Sequence, residues 1–430
     1  MDSLYVGVAR EIITPEIGCQ LYGYRPDIFS TRINDDLTAT AFYFRQGETQ
    51  AVMVSLCVCL LQTQLSEKIA LLIEKETGIP AHNCILHATH THTGPNVSGT
   101  FGWGDIDEKY SGEIFVPGIL RAVKRAKAQG VPAKIKISVG ESKAGINRRE
   151  LNIRNEVCLG QNPWGVYNPR MTVISVADYE DNALGHIIHY GAHGTVAGLA
   201  TDISRDWSGV MVDCVERNFG GIAAFFNGPE GDVGPRISNG QTTADMRFVA
   251  EVGGVAATDA ASICRHRDPY KKARLSVTVN DLQIPLDKRI SLELARCQYE
   301  KYKNNTVNID GTKGKYYGDV IASYENGYED AAVRPVKQTI IRVGDVAFVS
   351  FPYELFSEIG MRIAQHSVVP YTLSLSNTNG SEGYFVTEDQ ICKGGYEIDM
   401  FKTSFIQPYT DNADWSVVTQ TVENLKKTGV

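Results

Sequence analysis

The sequence predicts an α/β protein built of mixed β-sheets with surrounding helices, and three observations carry that prediction. Strand-like and helix-like runs interleave from one end to the other, which argues against separate all-β and all-α domains. A chain of 430 residues with 43% hydrophobic and 21% charged residues can bury a large core and has the balance of an ordinary globular protein. There is no internal repeat, no low-complexity segment and no linker rich in Pro, Gly or Ser, so residues 1–430 read as one domain.

Taken in order, β-rich apolar runs fall at residues 4–9, 39–44, 51–56, 84–88, 134–139, 171–176, 186–190, 222–226, 274–279, 339–343, 346–351 and 371–375. Helical periodicity is expected over 62–77, 107–128, 207–218, 242–265, 292–303, 354–364 and 415–427. Two long stretches, 94–105 and 376–401, show neither period. Irregular segments of that length inside a compact domain usually carry function.

The net charge is −8, from 42 basic and 50 acidic residues, and the charges are dispersed. No basic run marks a nucleic-acid or membrane footprint. The start, MDSLYVGVAREIITPE, lacks the basic and apolar regions of a secretory signal, and no run of about eighteen apolar residues could span a bilayer. Nine cysteines, scattered without a repeated spacing, read as reduced thiols, so the expected location is cytoplasmic. A homo-oligomer is compatible with all of this.

Seven of the nine histidines fall into two clusters. The first reads CILHATHTHTGPN: a β-rich run leads into His90 and His92, and a Gly-Pro turn follows. Were the strand to persist through residue 92, both imidazoles would point to one side. Such a pair suits a metal site or an acid/base pair. The second cluster, GHIIHYGAHGT, places His193 beyond an apolar strand between Ala192 and Gly194. His186 and His189 would take opposite faces of that strand and read as strand or core residues, as does His87; His82 sits in a polar turn. An open zinc site needs about three N or O ligands, so a carboxylate must come from elsewhere. Glu354 follows an apolar strand and a Phe-Pro break; by itself it reads as a helix-opening Glu that favours the dipole. No HExxH, GxSxG or CxxC motif occurs, and the Gly311–Lys315 stretch has the wrong spacing for a phosphate loop.

Taken together, seven ordered segments resemble the neutral/alkaline non-lysosomal ceramidase family. They are Ala88-Thr-His-Thr-His-Thr-Gly-Pro95, Ile146-Asn147-Arg148, Gly191-Ala-His193-Gly-Thr195, Ser204-Arg-Asp206-Trp-Ser-Gly209, Gly231-Asp-Val-Gly234-Pro-Arg236, Pro352-Tyr-Glu354, and Asn377 to Tyr384 followed by Tyr396-Glu397. The resemblance implies a neutral-ceramidase catalytic-domain-like fold and a zinc ion held by His90, His193, Glu354 and Tyr384. It implies His92 as acid/base or oxyanion donor, with Arg148 and Tyr396 polarising the scissile carbonyl. For Glu354 it reverses the helix-end reading.

The function implied is a metal-dependent amidohydrolase that cleaves a non-peptide linear amide, or a related acyl bond, by a zinc-activated water. Three departures from the family pattern bear on the substrate. Gly234 stands where the family motif has serine, the chain leaves no room for a C-terminal β-sandwich domain, and it shows no secretion signal. The substrate class expected is therefore a small-molecule or lipid-like amide, with a soluble one as acceptable as ceramide. An esterase or lactonase would use the same zinc site. A non-catalytic metal-binding sensor that kept the fold is the different-class alternative, with Gly234 in its favour and the full set of polarising and metal-type residues against it. Iron or manganese could replace zinc in a mixed His/carboxylate/Tyr set.

Overall fold

The computed structural model describes residues 3–429 and arranges them in four layers, helices–sheet–sheet–helices. The first sheet has eight strands: β1 (Tyr5–Ile12), β2 (Thr38–Gln46), β3 (Thr49–Leu56), β4 (Cys84–Ala88), β5 (Val131–Glu141), β6 (Arg170–Asp178), β7 (Ala183–Tyr190) and β8 (Ile222–Asn227). Their spatial order is β8-β7-β6-β5-β1-β2-β3-β4. The second sheet, in the order of the chain, holds β9 (Leu275–Pro285), β10 (Val333–Val343), β11 (Val346–Ser350) and β12 (Tyr371–Leu375). Every strand expected from the sequence is present.

The layering follows from which faces are apolar. Phe42, Phe44, Met53, Ile174 and Phe226 on one face of the first sheet share a core with Ile341, Phe348 and Leu373 of the second. The other face of the first sheet is covered by α1 (Thr63–Thr77), α2 (Val116–Ala128), α3 (Asp206–Phe219) and α4 (Met246–Cys264). Strands such as β2 and β3 are therefore buried on both faces, which explains their continuous apolar runs. Helix α2 buries Ile119, Ala122, Val123 and Ala126, the one-sided spacing of an amphipathic helix. It lies so close to β1 that a Cβ on Gly7 would meet the Ala126 carbonyl oxygen at 1.9 Å. The outer face of the second sheet is covered by α7 (Ser357–His366), α8 (Tyr396–Thr403) and α9 (Ala413–Lys426). An outlying pair, α5 (Leu292–Tyr302) and α6 (Asn308–Glu325), packs around Tyr316 and Val320.

The edges of the first sheet approach each other. His87 Nε2 on β4 accepts the Asn227 amide of β8 at 2.7 Å, and Ser55 Oγ donates to the Phe225 carbonyl at 2.7 Å. His87 is thus a core residue, as expected, and it also closes the seam and satisfies an edge amide.

Within the two main sheets most neighbouring strands run antiparallel, and three pairs do not. β3–α1–β4, β7–α3–β8 and β11–α7–β12 are parallel pairs joined by a helical crossover. In open α/β sheets ligands gather beyond the carboxyl ends of such strands. His90 lies just past β4, His193 just past β7 and Glu354 just past β11.

Three expectations need correction. The run 107–128 is one helical stretch interrupted by a π turn at Ser111–Phe115. Helix α7 opens at Ser357, not at Glu354, because the Glu354 amide donates to the Gly383 carbonyl at 3.0 Å and Glu354–Leu355 pairs in parallel with Tyr384–Phe385. The stretch 376–401 also contains ordered structure, including that pairing and the start of α8.

Candidate metal centre

The segment Thr89–His92 leaves the strand before its histidines. β4 ends at Ala88, and His90 has φ 69°, the left-handed region that residues with a Cβ seldom occupy. The strand alternation invoked for His90 and His92 therefore does not apply, yet their imidazoles still converge, with Nε2 atoms 3.2 Å apart. The unusual backbone is held in place from outside: the His90 amide donates to the Val58 carbonyl at 3.0 Å and the His92 amide to the Gly194 carbonyl at 3.0 Å. Thr91 bridges to Gly194, where a Cβ would meet the His90 carbonyl oxygen at 2.6 Å. The two histidine motifs are in this way brought into backbone contact, and only glycine at 194 permits that approach.

Their ring orientations are set by backbone carbonyls. His90 Nδ1 donates to the Cys59 carbonyl at 3.0 Å, and His193 Nδ1 donates to the Glu230 carbonyl at 2.8 Å. Each Nε2 lone pair is thereby aimed inward, the arrangement that metal-binding histidines require. Both point at one carboxylate oxygen: Glu354 Oε2 lies 3.1 Å from His193 Nε2 and 3.4 Å from His90 Nε2. All three residues are buried, and their ligand atoms lie within 4.8 Å of one another.

Three acceptor atoms gathered away from water need positive charge between them. Without a metal, a proton fills that role. Burial opposes charging His90, but Cys59 and Glu354 raise its pKa well above the usual value. Burial also opposes ionising Glu354, yet His90 and His193 hold it well below the usual carboxylate range. Burial and the Arg148 charge push His193 down to about 3. Two imidazoles and a carboxylate, the imidazoles already oriented by carbonyls, fit a zinc-type cation.

Around this trio stand the remaining residues expected from the sequence. Tyr384 Oη is 3.4 Å from His193 Nε2 and accepts a hydrogen bond from Arg148 Nη2 at 2.9 Å. Burial raises the Tyr384 pKa well above its usual value, so the phenol is neutral here. Arg148 is buried; burial works against its charge, but Tyr384 and Glu397 more than offset this, and the guanidinium stays cationic. His92 is kept neutral by burial and by its neighbours His90 and His193, and its Nδ1 is buried with no hydrogen-bond partner. Tyr396 opens α8 with its ring 5.7 Å from that of Tyr384. His90, His92, Glu354, Tyr384 and Tyr396 line a cavity of about 200 Å³.

The sequence reading assigned no role to three buried acids at the site. Glu397 bridges Arg148 Nε at 2.9 Å and Arg149 Nη1 at 2.6 Å and is fully buried. Its signal was the adjacent arginine pair, which demands a counter-charge. Asp232, raised to about 7 by burial, accepts the Ser357 amide at 2.7 Å and so anchors the start of α7 beside Glu354. Glu230, raised to about 8 by burial, accepts from Asn377 Nδ2 at 2.6 Å and leaves its other oxygen unpartnered. Both come from the Gly228–Asp232 segment, where two acids in an apolar setting were the available clue. His186 and His189 lie away from the site, bonded to Ser175 and to the Ser374 carbonyl. Arg205 is taken up by Asp35 and Asp213.

Gly234 sits on the short strand Val233–Pro235, behind Arg148. A Cβ there would meet Thr242 Cγ2 at 2.5 Å and Arg148 Cβ at 3.3 Å, so Thr242 occupies the space a serine would need.

Comparison with known proteins bears on the family and the fold. The family profile described as neutral/alkaline non-lysosomal ceramidase, N-terminal, matches residues 4–312. The neutral ceramidase of Pseudomonas aeruginosa is 28% identical over 168 residues, 36% of this chain and 25% of that protein. The neutral ceramidase of Mycobacterium tuberculosis is 27% identical over 267 residues, 54% of this chain and 40% of that protein. The chain thus matches a quarter to two fifths of the length of these curated relatives. The crystal structure of the Pseudomonas aeruginosa neutral ceramidase superposes with a TM-score of 0.76 at 18% identity, covering 99% of this chain and 74% of that one. The fold likeness extends over β10–β12 and α7–α9, beyond the profile match, where Glu354, Tyr384 and Tyr396 reside. By its sequence this chain belongs to the neutral/alkaline non-lysosomal ceramidase family.

Proposed function

We propose that the chain is a zinc-dependent hydrolase that cleaves a non-peptide amide or a related acyl bond. The observation that carries this is the convergence of His90 Nε2, His193 Nε2 and Glu354 Oε2, with Tyr384 and Arg148 beside them, at a cavity wall. His90, His193 and Glu354 would hold the zinc, with Tyr384 as the fourth protein ligand. When bound, the ion supplies Lewis acidity and a water whose pKa falls to about 7.

The protein's own groups account for the remaining needs of acyl transfer. Arg148, always cationic, and the Tyr396 hydroxyl donate to the negative charge that develops on the carbonyl oxygen. His92, neutral and so able to act as a base, would accept a proton from the attacking water and pass it to the leaving group. Glu397 holds Arg148 in position through its Nε. Glu354 and the carbonyls of Cys59 and Glu230 fix the imidazoles, so that little reorganisation is needed.

Amide, ester and lactone cleavage share this oxyanion chemistry, and we place amides first because the family relatives carry the name ceramidase. Nine free thiols support the proposed cytoplasmic location. The test is a panel of acyl amides, esters and lactones with zinc-loaded protein, with chelated protein and with Arg148→Ala. Turnover that disappears on chelation, returns with zinc and drops at least about a hundredfold in Arg148→Ala is expected. Zinc-loaded protein that turns over none of the three classes would refute the reading.

A further inference from the structure

The cavity beside the candidate metal centre, partly open to solvent, is bordered by two segments that the chemistry above does not use. One is the loop Ser98-Gly99-Thr100-Phe101-Gly102-Trp103-Gly104-Asp105, and the other is the start of α6. Three glycines with φ of 63°, 87° and 99° (Gly99, Gly102 and Gly104) let the loop double back over the site.

The two segments are clasped together. The Asn308 amide donates to the Gly102 carbonyl at 2.8 Å, and Thr312 Oγ1 donates to the Phe101 carbonyl at 3.2 Å. From the opposite side, Gln20 Nε2 donates to the Trp103 carbonyl at 2.8 Å, and Tyr22 Oη donates to Thr100 Oγ1 at 2.9 Å. Helix α6 is itself tied to α8 by Lys313 and Asp399 at 2.7 Å. Trp103 and Thr312 line the same cavity as His90, His92 and Glu354.

The space left is small. The cavity holds about 200 Å³, below the roughly 300–1,000 Å³ of sites that enclose drug-sized ligands. A larger cavity of about 670 Å³ lies next to it, between α1 and the second sheet. Glu382 borders both, and Arg334 at 3.1 Å and Tyr353 Oη at 3.2 Å hold its carboxylate in place as a charged partition. An apolar chain entering the smaller cavity would have to desolvate that ion pair to pass into the larger one.

We propose that Trp103, held over the site by the clasp between the 98–105 loop and α6, sets an upper limit on the acyl group, so that the preferred substrates are short-chain acyl amides or esters. The inference rests on the hydrolase reading, because it supposes that the acyl carbonyl lies at the metal centre. Trp103 is a specificity residue here, not a catalytic one. Once an acyl group exceeds the cavity, each further methylene must displace a wall or remain in water, and selectivity of tenfold or more is the scale expected for poorly fitted methylenes.

The probes are acyl hydroxamic acids with acetyl, hexanoyl and decanoyl chains, titrated into zinc-loaded full-length protein by calorimetry, with turnover of the matching N-acylethanolamines measured alongside. Acetyl or hexanoyl compounds should bind at least about tenfold more tightly than decanoyl. Trp103→Ala should narrow that gap by improving decanoyl binding, with zinc content unchanged. Decanoyl binding as tight as hexanoyl in the wild type would overturn the size limit while leaving the metal-centre reading intact. A gap that Trp103→Ala leaves unchanged would overturn the assignment to Trp103. Failure of every hydroxamate to bind zinc-loaded protein would defeat the hydrolase reading and this inference with it.

Discussion

Replacing Glu397 with Gln should be among the most destabilising single changes in this protein, although it is close to isosteric. Glu397 is fully buried and its two oxygens are divided between two arginines, Arg148 Nε at 2.9 Å and Arg149 Nη1 at 2.6 Å. Both guanidiniums are themselves buried. Beyond Glu397, Arg148 meets Tyr384 Oη at 2.9 Å, and Arg149 meets the Gly394 carbonyl at 2.7 Å and Gln390 Oε1 at 3.4 Å, and none of these partners carries charge in the metal-free protein. The carboxylate is thus their immediate counter-charge. A glutamine keeps one acceptor and turns an N–H toward the other arginine. Breaking a buried pair in this way costs about 3–5 kcal/mol, a large part of the roughly 5–15 kcal/mol by which domains are stable. Urea unfolding should show the midpoint falling with an unchanged slope. Because the cost comes from uncompensated charge, the double variant Glu397→Gln/Arg149→Met should recover part of the loss. Zinc content should persist, since none of the three converging ligands is altered. A Glu397→Gln protein within about 1 kcal/mol of wild type, or a double variant that is simply additive, would refute the electrostatic account.

Two more predictions concern stability. Gly234→Ser places a Cβ 2.5 Å from Thr242 Cγ2, so it should cost about 1–3 kcal/mol by overpacking, and Thr242→Ala in the same protein should relieve part of it; thermal unfolding of the three variants checks this. Burial lowers His186 to about 4 and His189 to about 4, against 6.5 for the ordinary side chain. Between these values the unfolded chain binds more protons than the folded one. The contribution of these two histidines is therefore full above about pH 6.5 and falls as the pH drops toward 4, by about 3 kcal/mol for each, whereas the raised Glu230 and Asp232 act in the opposite direction. Urea midpoints of wild type, His186→Gln and His189→Gln at pH 7 and pH 5 measure this, and each variant should lose about 2 kcal/mol less than wild type between the two; variants that track the wild type would contradict it.

The strands were legible because a strand covered on both faces announces itself as an apolar run, as in Ala51–Leu56. Helix α6 was not: Gly311, Gly314 and Gly318 lower its intrinsic propensity, and its order comes from tertiary contacts such as the Tyr302–Tyr317 stack. Helix α8 was lost for a related reason, lying inside a stretch with no clear period and held by Phe401 against the second core. His90 was visible as a candidate from the His-x-His pair at a strand end, and His193 from its place beside Gly194 beyond a strand. Their convergence was not, because it depends on a left-handed turn at His90 and on the contact between Thr91 and Gly194. Glu354 shows the limit most directly. Local sequence favoured a helix start, and a parallel pairing with Tyr384–Phe385, 30 residues later, overrides it. Only the ordered family motifs carried that long-range information.

The central claim is that His90, His193 and Glu354 form a zinc centre. Its most direct test is the metal content of purified wild-type protein beside His90→Ala and His193→Ala, each exposed to zinc and then freed of excess. The account predicts about one zinc per wild-type chain and its loss in both variants, with the variants still folded by circular dichroism. A wild-type chain that takes up no zinc, or variants that keep it, would contradict the account.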